Sequence, residues 1–236
     1  NNNIIKFVNS KNQLINSITL SRRIKFLTNV IFKLNKISLK NKNFEILALC
    51  QYFQKILTTI QNKRYSHIQP KGLVLHIPAS NINLMPFYSW AASFIVGNMN
   101  LVRLSKRINL DPINLIIDTF YKVDPEIMNS QIFVNADNFS HLIDDIKDQI
   151  DVRIIWGNDI TIENIKKDYP LPRSLDIAFP SRYSASIISN KGFTLKSARD
   201  KIQFCRIFSQ DTLELSFSAC SSPHLLFWLL DSPNNP

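Results

Sequence analysis

The sequence predicts an α/β fold in which helices cover both faces of a mainly parallel sheet. Three observations carry that reading. From residue 72 short apolar runs alternate with segments of helical spacing, and strands alternating with helices of that length predict a parallel sheet. Before it, residues 10–65 keep apolar positions three and four apart with no Gly or Pro, the pattern of a helical leader. A composition of 45% hydrophobic residues, with 16 Phe and 3 Trp in 236 residues, supplies one large core or two modest ones.

In chain order, "FEILALCQYFQKILTTI" belongs to the helical leader. "GLVLHIP" then reads as a strand, "MPFYSWAASFIV" as a helix and "NLVRLS" as a strand. "DPINLIIDTFYK" reads as a helix capped by Asp111 with Pro112 in its first position. "QIFVNA" (strand), "SHLIDDIKDQI" (helix), "VRIIWG" (strand) and "TIENIKK" (short helix) follow. After them come the strands "LDIAF" and "ASIIS" and the helix "TLKSARDKIQFCRIF". Last, "SSPHLLFWLL" reads as a helix start, with Ser222 as N-cap and Pro223 at the first helical position.

The formal net charge is +10, much of the excess lying in the first third, in "SRRIKF", "KLNKISLKNK" and "NKRYSH". Such an excess suits nucleic acid and also anionic small molecules such as nucleotides or coenzyme A. The lysines spread along helix-like segments and no aromatic–basic motif of the RNA-binding kind occurs, so no nucleic acid is expected as partner. No run of about 18 apolar residues occurs, and the Asn-rich start lacks the apolar core of a signal peptide. A cytoplasmic protein without a membrane span is the expectation. Cys50, Cys205 and Cys220 have irregular spacing, and His67, His76, His141 and His224 are scattered, so neither a disulfide framework nor a metal site is expected. Only Gly72, Gly97, Gly157 and Gly192 occur, without a G-x-G-x-x-G or P-loop pattern. A dinucleotide would be bound without that fingerprint.

Two residues stand out chemically. Cys220, in "SFSACSSPHLLFW", is either a small buried hydrophobe or a nucleophile. A helix starting at Ser222 would favour its thiolate through unpaired N–H groups and the macrodipole. Asn81, in the polar turn after Pro78, either shapes that turn or offers an amide donor to a developing oxyanion at a strand's carboxyl end.

The stretch "HIPASNINLMPFYSWAASFIVGNMNLVRLSKR", followed by "RIIWGND", "FPSRYSASII" and "ACSSPH", resembles LuxC-type fatty acyl-CoA reductases, a branch of the aldehyde dehydrogenase superfamily. Order and spacing agree from about residue 72 to 230. The resemblance implies a Rossmann-like cofactor domain. Cys220 matches the nucleophile that takes the acyl group as a thioester, and Asn81 the amide that holds the oxyanion together with the cysteine's own N–H. Arg103 falls where the superfamily has a lysine touching the adenosine ribose. Lys106 falls where NAD-preferring relatives often place a glutamate. A cation there welcomes a 2′-phosphate, making NADPH the expected cofactor; the plain alternative for Lys106 is a solvated side chain. Gly157 matches a turn over the cofactor, with the following helix N-terminus facing the pyrophosphate.

Acid-forming aldehyde dehydrogenases carry a glutamate base in the strand here occupied by "RYSASII". Between residues 181 and 219 only Asp200, Asp211 and Glu214 occur. Without a base to activate water, the thioester should last until hydride or another thiol attacks it. The chain departs from the family in having Gly157-Asn158 for Gly-Gly, and Phe217 and Ser218 where an aspartate and paired glutamines precede the cysteine. It also ends at Pro236, where the superfamily's catalytic domain continues, so a truncated fragment is expected.

The expected organisation is a helical segment over 1–70, a Rossmann-like cofactor domain over 71–210, and the start of a catalytic domain over 211–236. The implied activity is NADPH-dependent reduction of a long-chain fatty acyl-CoA to the aldehyde. Implied partners are an acyl-CoA or acyl-protein donor, an acyl-protein synthetase and thioesterase of a luminescence-linked complex, and further copies in a homo-oligomer. Two alternatives stay open. One is another CoA-acylating aldehyde dehydrogenase with shorter substrates, the other a non-catalytic or nucleic-acid-binding fragment.

Overall fold

The computed structural model describes residues 7, 10–14, 18–62, 69–135, 143–167, 171–209, 212 and 222–230. The chain forms two compact units, Asn1–Pro180 and Ser181–Pro236.

In the first unit the helical leader forms α1 (Lys11–Leu14), α2 (Leu20–Asn41) and α3 (Phe44–Asn62). Thr19 caps α2 by accepting the Arg22 backbone N–H. At the other end Lys42 turns left-handed, at φ 52°, and reverses the chain into α3. α2 buries Phe26, Leu27, Val30, Ile31 and Leu34, and α3 buries Ile46, Leu49, Cys50, Phe53 and Leu57. This is the three-and-four spacing seen in the sequence.

Five parallel strands follow: β1 (Leu73–Ile77), β2 (Met99–Leu104), β3 (Gln131–Asn135), β4 (Val152–Trp156) and β5 (Leu175–Phe179). Their order is β3-β2-β1-β4-β5. The crossovers hold α4 (Met85–Ile95), α5 (Leu110–Val123), the single turn α6 (Pro125–Met128) and α7 (Asp159–Lys166); residues 143–149 are helical turns leading into β4.

Two apolar cores lie on opposite faces of this sheet. One joins α2 to α5 with Val102 and Leu104, and at its centre Trp90 stacks on Phe94 and Phe120, with ring centroids 4.6 and 4.9 Å away. The other gathers Leu73, Leu75, Ile77, Met99, Leu101 and Ile155 with Ile162 of α7. With both faces covered, every residue of β1 is buried. The parallel sheet with helices on both faces agrees with the sequence reading. One cap differs: Asn109, not Asp111, caps α5 by accepting the Asp111 N–H at 3.0 Å. Asn109 is already extended and able to cap, so the helix starts at Leu110 and Pro112 becomes its third residue.

The second unit contains β6 (Ser184–Ser189), α8 (Asn190–Thr194), α9 (Ala198–Ser209) and β7 (Pro223–Leu229). β6 and β7 pair in parallel, joined by a helical crossover as that geometry requires. Here the sequence reading is corrected. "PHLLFWL" is a strand, not the first turns of a helix. A continuous apolar run has no period to separate the two states, and pairing with β6, from Ser184↔Pro223 to Ser189↔Leu229, decides for the strand. Pro223 stands at its first residue, where a missing N–H is tolerated.

Candidate cofactor and acyl-transfer site

The strand order places the site. From β1 the chain adds β2 and β3 on one side, then returns to β1's other side for β4 and β5. Open parallel sheets bind ligands outside the carboxyl ends of their strands, at such a reversal. The loop after β1 and the turn after β4 flank it, since Ile77 registers with Ile155.

Asn81 lies exposed in the loop between β1 and α4. Arg103 is half-buried near the end of β2, opposite Val134 of β3. Lys106 is exposed two residues beyond β2, with Arg107 beside it, so three cations gather at that carboxyl end. Gly157 directly follows β4, and its N–H donates to the Phe179 carbonyl at 3.3 Å. The structure thus brings four of the five singled-out residues to the carboxyl edge of one sheet. Cys220 lies outside the described residues. The thiolate-stabilising helix expected after it is absent, because β7 occupies that stretch.

Gly157 has a packing reason. A Cβ there would lie 3.1–3.2 Å from the Thr161 side chain, so glycine lets the first turn of α7 approach β4 closely. Asn158, the departure from Gly-Gly, caps α7 by accepting the Thr161 N–H at 2.8 Å. The helix end that would face a pyrophosphate is therefore capped from within, and Asp159 places a carboxylate in its first turn. The cations after β2 fit a phosphate-bearing ribose; the α7 end is the less accommodating part of the site.

Sequence reasoning missed the polar row under the site. Trp156, the last residue of β4, donates its indole N–H to Ser89 Oγ at 3.0 Å and stacks on Phe179 at 3.9 Å. Ser89 Oγ lies 2.8 Å from His76 Nδ1, and His76 Nε2 lies 2.9 Å from Asn100 Oδ1. Asn100 Nδ2 and Trp90 Nε1 both donate to Gln131 Oε1, each at 2.7 Å. Nε2 faces an amide oxygen, which only accepts, so the neutral imidazole carries its hydrogen there, and Ser89, accepting from the Trp156 indole, donates its hydroxyl to Nδ1. Full burial pushes the His76 pKa down to about 4, and the ring is neutral at pH 7. A histidine inside the apolar run "GLVLHI" was the available signal for this row.

Of the cysteines, Cys50 is buried in the first core and burial pushes its thiol up to about 11, which makes it inert. Cys205 on α9 is exposed. Asp200 lies 2.7 Å from Ser197 Oγ, a hydroxyl that caps the start of α9 by accepting the Asp200 N–H.

The fold is that of part of an aldehyde dehydrogenase. The chain is similar to aldehyde dehydrogenase 21 from Physcomitrella patens, crystallised with the product succinate, at 10% identity and a TM-score of 0.70, covering 96% of this chain and 52% of that one. It is similar to the aldehyde dehydrogenase KauB from Pseudomonas aeruginosa at 11% identity and a TM-score of 0.70, covering 94% and 50%. A Mycobacterium tuberculosis aldehyde dehydrogenase complexed with NAD+ matches at 14% identity and a TM-score of 0.65, covering 89% and 47%. The chain spans about half the length of these solved structures. No curated protein matches it. The family model of acyl-CoA reductase (LuxC) matches residues 2–236, and the chain belongs to that family. Among the described residues no helix is long and apolar enough to cross a membrane.

Proposed function

We propose that this chain supplies the cofactor-binding half and the nucleophile of an NADPH-dependent reductase that converts long-chain fatty acyl-CoA to the aldehyde. One observation carries the reading: in a LuxC-family chain, Asn81, Arg103, Lys106 and Gly157 all lie at the carboxyl edge of one parallel sheet, around its reversal of strand order. Cys220 attacks the thioester carbonyl as thiolate, its new C–S bond replacing the one to coenzyme A, which leaves as its thiolate. The Asn81 amide and the Cys220 N–H hold the oxyanion. Arg103 and Lys106 would hold the adenosine ribose and its 2′-phosphate. A nicotinamide cofactor held there would supply hydride chemistry for reducing the acyl group on Cys220. β6 carries no carboxylate to activate water, which favours survival of the acyl-enzyme. Membership of a fatty acid reductase complex, a homo-oligomer and a cytoplasmic setting belong to the same reading.

The test is intact-protein mass spectrometry after incubation with tetradecanoyl-CoA, on the wild type, Cys220→Ala and Cys205→Ser. An acyl-sized gain that is lost only in Cys220→Ala is expected. A gain that is lost in Cys205→Ser but kept in Cys220→Ala would overturn the assignment, because the exposed α9 thiol would then be the acceptor.

A further inference from the structure

Away from the site, α2 presents an outer face whose side chains no element covers among the described residues. Lys25, Phe32, Lys36 and Leu39 stand seven, four and three residues apart, one stripe on a helix of 3.6 residues per turn. The opposite stripe is the buried row from Phe26 to Leu34. Phe32 is 73% exposed and Leu39 69%, and Phe44, just past the turn at Lys42, is 77% exposed. Lys33 and Lys40 flank the stripe, and α2 contains no acidic residue. Lys33 reaches the Lys122 carbonyl at 3.2 Å. Among the described residues Lys25, Lys36, Lys40 and Lys42 make no ion pair. The other two cations of α2 are committed elsewhere, Arg22 to Asp124 and Glu126 and Arg23 to the Ile95 carbonyl.

We infer that this face docks the protein on an anionic lipid surface. The charge along α2 is uniformly positive and complements such a surface. The apolar side chains are separate projections from a convex helix, suited to entering the headgroup layer while the lysines stay at its level. A protein partner would need a patch with continuous apolar contact, which this face lacks; nucleic acid would gain nothing from Leu39. The stripe from Lys25 to Lys40 runs roughly 22 Å along the surface at 1.5 Å per residue. Docking here requires nothing of the cofactor site.

The experiment is co-sedimentation of the full chain with vesicles of phosphatidylcholine alone and of phosphatidylcholine mixed with phosphatidylglycerol. Binding is expected only to the anionic vesicles. Both Lys25→Glu/Lys36→Glu and Phe32→Ser/Leu39→Ser are expected to weaken it roughly tenfold or more. None of the four substituted positions belongs to the buried row, so circular dichroism should be unchanged. Lys191→Glu/Lys196→Glu, an equal charge change in the second unit, is expected to leave binding intact. Equal loss in that control would reduce the effect to net charge and overturn the inference. Binding unaffected by Phe32→Ser/Leu39→Ser would overturn it too, and assign the face to an acidic macromolecule.

Discussion

His76 shows how one buried side chain couples the sheet to pH. Its ring is neutral in the folded chain, with a pKa of about 4 against an ordinary 6.5. The unfolded chain therefore binds the extra proton first as pH falls. Stability from this group is complete above about pH 6.5 and is lost progressively down to about pH 4, a loss of up to about 3 kcal/mol. Urea unfolding between pH 7 and pH 4 should show that slope, and His76→Gln should flatten it; an unchanged slope would show that another group causes it. Lys106 has a separate test. Lys106→Glu is expected to weaken NADPH binding at least tenfold, about 1.4 kcal/mol, while NADH binding holds or improves. Equal loss for both cofactors in a binding titration would place Lys106 outside 2′-phosphate recognition.

At the scale of elements, β4 and β5 are joined by more than their ladder. Arg153 and Asp176 sit opposite each other in register and form a forked pair, Nε and Nη2 each 2.7 Å from a carboxylate oxygen, with side chains only 10% and 14% exposed. Asp176→Ala would leave the guanidinium charged without its carboxylate, at a cost of about 3–5 kcal/mol. Arg153→Met/Asp176→Leu should recover most of that, measured as the urea midpoint. Elements whose partners are local were legible in the sequence: α2 and α3 in their apolar spacing, and β1, β2 and β4 in short apolar runs between helices. The places of Asn81, Arg103, Lys106 and Gly157 at strand carboxyl ends were legible, because each ends or follows a short apolar run. β7 was not, since Ser222 and Pro223 satisfy the rules for a helix start and only the distant β6 overrules them. The row from Trp156 to Gln131 was not legible either, because its members come from five separate elements.

At the scale of the molecule, the two units differ in how fully they are built. The first has a core on each face of its sheet. In the second, α9 buries no residue, and Ile187, Ile202 and every residue from Leu225 to Leu230 are exposed. Trypsin should therefore cut first at the exposed Arg182, and a fragment ending there should persist and unfold cooperatively, as followed by electrophoresis and circular dichroism. Early cuts within α2 or α3 would contradict this. The strand order also governs how the protein emerges during synthesis. β1 can pair with β2 almost at once, since Gly72 and Asn98 are separated by 26 residues. Its other edge waits for β4, with Leu73 and Asp151 separated by 78. At about 5–20 residues per second the ribosome leaves that apolar edge open for roughly 4–16 s. During this interval the nascent chain is a template for any passing strand, and trigger-type chaperones would find their longest opportunity there.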